Sequence, residues 1–308
     1  MMRFRFTAGT AAALATAGAL LLGLAACGSG SSDEASRPTQ SVEKRAGAEE
    51  VRWDLTWSDE FNEPAGTKPD PGKWGYKLGG NGFGNSELQL YTDSARNAST
   101  DGNGNLVITA IKETQPAASC WYAACEYTSA RIRTANTFSQ AYGRFEARIH
   151  IPSGKGIWPA FWILGDDPAE VGWPARGEID VMEILGQEPS KLYGTLHGPG
   201  YSGGNSISKS YTLPVGQSFA GGFHTFAVEW EPDVVRWYAD DQLYQTRTPA
   251  DIPPGSRWVY DHPFSLILNL AVGGNWPGNP DSTTTFPSQM SVDYVRVLKR
   301  ADATATGS

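Results

Sequence analysis

The chain has 308 residues, with 33 acidic side chains against 25 basic ones and a net charge of −8. No basic patch interrupts that balance, which excludes nucleic acid as a partner. Its 35 glycines and 20 prolines, and its short alternating runs between turn residues, exclude a helical protein and predict an all-β one.

Met1-Met2-Arg3-Phe4-Arg5-Phe6 is a short basic region, and an Ala, Leu and Gly run follows from Ala8 to Ala26. Residues 1–26 read as a secretory signal, too short and alanine-rich for a membrane span. The end of the run, Leu24-Ala25-Ala26-Cys27, resembles a bacterial lipobox. That predicts cleavage before Cys27 and a lipid on it; ordinary cleavage after Ala26 is the alternative. The expected location is extracellular, anchored to the outer face of the cell membrane by that lipid alone. Residues 27–50 lack large apolar side chains and predict a flexible tether. Residues 51–300 are long enough for one large core and predict a single domain, with 301–308 as a disordered tail.

Within that domain, Phe145, Ala147 and Ile149 alternate with Arg144, Glu146 and Arg148. Phe226, Val228 and Trp230 share one face of a second strand. Near the end, Val292, Tyr294 and Arg296 alternate with Asp293, Val295 and Val297. Many such strands predict two antiparallel sheets packed face to face, a jelly-roll sandwich. In an exported chain, Cys120 and Cys125 around Trp121-Tyr122-Ala123-Ala124 predict a disulfide, with two buried thiols as the alternative. No Cys/His set accompanies them, so zinc is not expected there.

The stretch with the most chemistry is Gly177-Glu178-Ile179-Asp180-Val181-Met182-Glu183. On a strand, Glu178 and Asp180 face one way, and Ile179 and Val181 the other. Strict alternation would send Glu183 to the apolar side, at a cost of several kcal/mol for an unpaired carboxylate. One extra residue at Val181-Met182, a β-bulge, would return Glu183 to the face of Glu178 and Asp180. Two glutamates with an aspartate between them on one face are the equipment of a retaining glycosidase. A solvated acidic edge strand is the competing reading.

The surroundings favour a sugar. Trp158, Ala160 and Trp162 share a face of Gly156-Ile157-Trp158-Pro159-Ala160-Phe161-Trp162, just ahead of the acidic strand. Indoles stack on pyranoses, although each tryptophan alone suits a core equally well. The segment Gly80 to Thr92 starts as a glycine-rich loop, yet lacks the Lys-Ser/Thr and helix of a phosphate loop. His197, on the strand expected next, is either a core residue or, by hairpin pairing, a neighbour of the carboxylates. No His/carboxylate set stands at metal-ligand spacing, so no catalytic cofactor is expected.

Together these residues resemble glycoside hydrolase family sixteen, and within it the bacterial laminarinase-like endo-β-1,3-glucanases. The resemblance spans residues 53–298. It is carried by Trp57-Ser58-Asp59-Glu60-Phe61, Gly84-Asn85-Ser86-Glu87-Leu88-Gln89, Tyr127-Thr128-Ser129-Ala130-Arg131-Ile132 and Tyr142-Gly143-Arg144-Phe145-Glu146. The tryptophan segment, Gly172-Trp173-Pro174, the acidic strand, Asn269 to Gly278 and Val292 to Val297 complete it. It implies a cleft across the concave sheet, β-glucan as the partner, a monomer, Glu178 as nucleophile and Glu183 as general acid/base, with Asp180 orienting Glu178. Asn85, Trp158, Trp162 and His197 would line the donor side, with Arg131 and Trp276 as further contacts. A structural calcium is also implied, on the carboxylate of Asp293 with carbonyls near Gly104 and Glu60. Ala130 departs from the family's usual glycine, and loops 166–176 and 199–210 set how closed the cleft is. Mixed-linkage glucan or β-galactan hydrolysis, and a non-catalytic glucan-binding lipoprotein, are the alternatives. The extra residue in the acidic strand argues against the branches with Glu-x-Asp-x-Glu spacing.

Overall fold

A computed structural model describes residues 51–166 and 170–301. The expected signal, Cys27, the expected tether and, apart from Ala301, the expected tail lie outside the described residues. The described chain forms two sheets packed as a jelly-roll sandwich. The seven-stranded sheet runs, edge to edge, Ile207–Thr212, Lys191–His197, Glu178–Ile184, Ile157–Gly165, Phe264–Val272, Arg131–Arg133 and Gly75–Tyr76. Every pairing in it is antiparallel. In the ten-stranded sheet, Gly143–His150 lies between His224–Glu231 and Ser288–Arg300. One pairing departs from the antiparallel expectation: Gln89–Tyr91 runs parallel to Ala123–Ser129.

Alternation builds the core. Phe145, Ala147 and Ile149 are buried between half-exposed partners, and Phe226, Val228 and Trp230 meet them on the neighbouring strand. Ile179, Val181, Met182 and Ile184 enter the same core from the seven-stranded sheet. Each such side chain contributes roughly 1.5–3 kcal/mol on burial.

The C-terminal strand corrects the expected alternation. Val292, Val295 and Val297 are all buried, while Tyr294 and Arg296 turn outward. The register against Gly143–His150 shifts between Val292 and Tyr294, making Asp293 an extra residue. Strict alternation would have exposed Val292, and the bulge keeps three valines on the core side.

Cys120 and Cys125 are bonded, closing the turn between Leu106–Cys120 and Ala123–Ser129. Ala130 is fully buried in the core, where a small side chain fits.

Candidate active site

The acidic strand has the bulge that its spacing predicts. On one side Asp180 pairs with Thr195 and Glu183 with Tyr193, so Val181 and Met182 together face Gly194. On the other side Asp180 pairs with Trp162 and Met182 with Phe161, leaving Val181 as the extra residue. Both Val181 and Met182 are buried, and Glu183 emerges on the outer face with Glu178 and Asp180. Two features fit this distortion. Trp237, from the other sheet, donates its indole N–H to the Asp180 carbonyl at 2.8 Å. Gly194 leaves room for that indole, since a Cβ there would lie 2.5 Å from Tyr244 Oη and 2.6 Å from Trp237 Cδ1.

The hairpin pairing brings His197 opposite Glu178. Its Nε2 lies 3.1 Å from Asp180 Oδ2 and 3.7 Å from Glu178 Oε1. The Gly203 amide donates to His197 Nδ1 at 3.1 Å. Nδ1 is therefore the acceptor, and Nε2 carries the hydrogen that faces the two carboxylates. Asp180 Oδ2 is buried and makes no hydrogen bond of good geometry, so it depends on that histidine for compensation.

Burial pushes the acidic residues up. Glu178 is raised to about 8, first by burial and then by Asp180, against His197, Arg131 and a hydrogen bond from Trp173. Glu183 is raised well above the usual carboxylate range by burial and by the charges of Asp180 and Glu178. Burial raises Asp180 as well. Carboxylates this close cannot all ionise. Arg131 favours the charge on Glu178, whereas both neighbouring carboxylates disfavour one on Glu183, so the shared proton favours Glu183.

Of the six expected contact residues, His197, Trp158 and Trp162 adjoin this strand directly, while Arg131, Trp276 and Asn85 are tied to its surroundings through neighbouring side chains. Trp158 donates its indole N–H to Glu183 Oε1 at 3.2 Å. Trp276, 41% exposed, packs edge-on against Trp158 at 5.3 Å and against Tyr193 at 4.9 Å. Trp162 donates to Asn269 Oδ1 at 2.7 Å, and the Arg131 guanidinium lies 4.5 Å over its ring. Asn85 uses its side-chain amide inwardly, on Glu87 Oε1 at 3.1 Å.

Sequence reasoning passed over Glu87, Tyr193, Trp173, Trp237 and Asn269. Glu87 had a readable signal, because Glu87, Gln89 and Tyr91 recur at period two and are buried together. Gln89 and Tyr91 both donate to Glu87, and Arg131 faces it as a countercharge. Tyr193 was legible only from the hairpin register. Trp173 and Gly203 come from the two loops expected to set closure, and both reach His197.

Of the expected calcium ligands, the Asp293 carboxylate already holds Arg148 at 2.6 Å, whereas Gly104 and Glu60 would offer only main-chain carbonyls. Calcium on Asp293 would have to compete with that arginine, so the residues fit the ion poorly as they stand. The hairpin does assemble one three-donor cluster that sequence spacing hides, Glu178, Asp180 and His197, with ligand atoms within 4.8 Å of one another. Three donors on one flat face fall short of the 6–8 oxygens calcium takes.

A fold and a face of this kind define a carbohydrate-active class, and comparison with known proteins agrees. The profile of Glycosyl hydrolases family 16 matches residues 86–296. A β-glucanase of Rhodothermus marinus is 41% identical over 256 residues, covering 80% of this chain and 85% of that protein. The laminarinase catalytic domain of Thermotoga maritima is 49% identical with a TM-score of 0.76, over 81% of this chain and 99% of that one. An endo-β-1,3-glucanase of Pyrococcus furiosus is 45% identical with a TM-score of 0.77, over 82% and 97%. The chain belongs to glycosyl hydrolase family 16 and is laminarinase-like within it.

Proposed function

We propose that the protein is a retaining endo-hydrolase of β-1,3-glucan. The observation that carries this reading is the bulge, which turns Glu183 onto the outer face with Glu178 and leaves Asp180 between them. Glu178, whose charge Arg131 favours, attacks the anomeric carbon. Glu183, the site that favours the proton, gives it to the departing glycosidic oxygen as the C–O bond breaks. Glu183, now a carboxylate, takes a proton from water, and the hydroxide displaces Glu178 from the sugar with net retention. Such chemistry places the two carboxyl groups about 5–5.5 Å apart. Trp158 orients Glu183 through its indole N–H, and His197 supports the carboxylates of Asp180 and Glu178.

Product analysis of laminarin digests by mass and NMR tests this reading. A ladder of oligosaccharides with the β-anomer formed first supports it. No release from laminarin overturns the substrate, and an α-anomer overturns retention. Lichenan and agarose arms test the mixed-linkage and galactan alternatives. The same reading includes export with a lipid on Cys27, which metabolic lipid labelling of wild type and Cys27→Ser checks. The structural calcium expected on Asp293 is left out of this reading, because that carboxylate already holds Arg148; a chelator that lowers the melting temperature brings the ion back.

A further inference from the structure

The turn of the disulfide-closed hairpin docks on the glycine-rich segment beside the acidic face. The Trp121 amide donates to the Gly80 carbonyl at 2.9 Å, and its indole N–H donates to the Glu87 carbonyl at 2.7 Å. Tyr122 Oη donates to the Leu88 carbonyl at 2.6 Å, and its ring packs edge-on against Trp121 at 5.4 Å. Gly82 lies flat against the indole, since a Cβ there would be 2.9 Å from Trp121 Cδ1. The Cys120–Cys125 bond closes the turn on which the ring is carried. In spite of these ties, Trp121 remains 53% exposed. It is a large apolar surface, held rigid and left open.

The ring continues a series that begins at the carboxylates. Arg131, whose charge acts on Glu178, lies over Trp162 at 4.5 Å and over Phe83 at 5.4 Å. Phe83 follows Gly82, which Trp121 covers. The series leads toward the longer side of the sheet. Four strands lie beyond the acidic strand on the Trp162 and Arg131 side, against two on the His197 side. At ~4.8 Å per strand that is ~19 Å of platform against ~10 Å.

We propose that Trp121 is an outlying sugar platform, stacking a glucosyl unit of a long β-glucan chain beyond Asn85 and Arg131. The proposal rests on the β-glucan hydrolase reading above. The indole N–H is already engaged by Glu87, so the ring offers its apolar face and not a hydrogen bond. The disulfide and the two carbonyl contacts hold it in place before binding, which spares the ordering cost that a free tryptophan would incur.

The test compares kcat/KM on long laminarin with kcat/KM on a short β-1,3-glucan oligosaccharide, for wild type, Trp121→Ala and Trp121→Phe. Trp121→Ala is expected to lower the long-to-short ratio about 3- to 10-fold, through KM. Trp121→Phe, which keeps a ring but loses the bond to Glu87, is expected to restore most of it. If Trp121→Ala lowers both substrates equally, or Phe is no better than Ala, Trp121 only props the 80–88 segment and the proposal is overturned. An unchanged ratio in Trp121→Ala overturns it as well. Wild type inactive on both substrates would instead be the failure of the hydrolase reading.

Discussion

The acidic strand and the C-terminal strand each carry an extra residue beside an acidic side chain, and the two end differently. In the C-terminal strand the extra residue is Asp293 itself, and its carboxylate meets Arg148 at 2.6 Å with both side chains more than a third exposed. In the acidic strand the extra residue is the buried Val181, and the carboxylates it brings onto one face are shielded, Glu178 at 15% exposure and Asp180 at 5%. The backbone device is the same. What differs is the company: a directly paired arginine and solvent in one place; carboxylates, tryptophans, a single histidine and the unpaired pull of Arg131 in the other. A bulge re-aims a side chain, and the surroundings decide whether the result is an ion pair or a proton carrier.

The sharpest way to break the comparison is to remove a carboxylate at each bulge. Glu178→Ser and Glu183→Gln are each expected to lower kcat on laminarin by about 10³-fold or more, with the fold intact by circular dichroism. Asp293→Asn is expected to leave kcat unchanged and to cost about 1 kcal/mol or less. A loss of activity at Asp293 as large as at Glu178 would erase the distinction.

Asp180→Asn ranks next, with kcat expected to fall about 10²-fold. Asp180 raises Glu183, and the first step needs Glu183 protonated. Without that charge Glu183 loses its proton at lower pH, so the alkaline limb of kcat/KM moves downward. A pH profile whose alkaline limb stays in place rules out this coupling.

Gly194→Ala tests the bulge from the opposite strand. The new methyl meets Tyr244 and Trp237, so a thermal melt is expected to show a loss of about 1–3 kcal/mol, accompanied by lower kcat. A stable and fully active variant would mean that the bulge does not depend on that packing.

The smallest effect concerns stability against pH. Burial and crowding on the acidic face push its carboxylates up, Glu178 to about 8 against an ordinary 4.5, so the folded state holds a shared proton, chiefly on Glu183, that the unfolded chain has lost. Stability therefore falls as pH rises from the ordinary value to the folded one, and levels off above it. Glu178→Gln does not titrate and is expected to gain about 1–2 kcal/mol over wild type at about pH 8.5, and little at about pH 4. Urea denaturation at the two pH values measures it; an equal gain at both would refute the cause.

Much of this was legible in order. Phe145, Ala147 and Ile149 alternate as written, and the excess residue before Glu183 is visible because a buried, unpaired carboxylate is too costly to accept. The same reasoning applied to Val292–Val297 misses its bulge, because Asp293 can sit on either side of a strand edge if an arginine is near. Arg148 is remote in sequence and comes alongside only through sheet pairing. Glu87 was missed for a related reason: its burial is tolerable because Gln89, Tyr91, Asn85 and Arg131 surround it.

Residue order by itself determined the sandwich, the outward turn of three carboxylates and the choice of a disulfide, since each follows from local periodicity, burial cost or cysteine count. Tertiary structure alone decided the rest. It set Trp237 on the Asp180 carbonyl, Gly203 on His197, Arg131 toward Glu178, and Trp121 at the end of an aromatic series. The reason is physical: side-chain direction is a property of a strand, but desolvation and countercharge belong to whatever distant segments the fold packs around it.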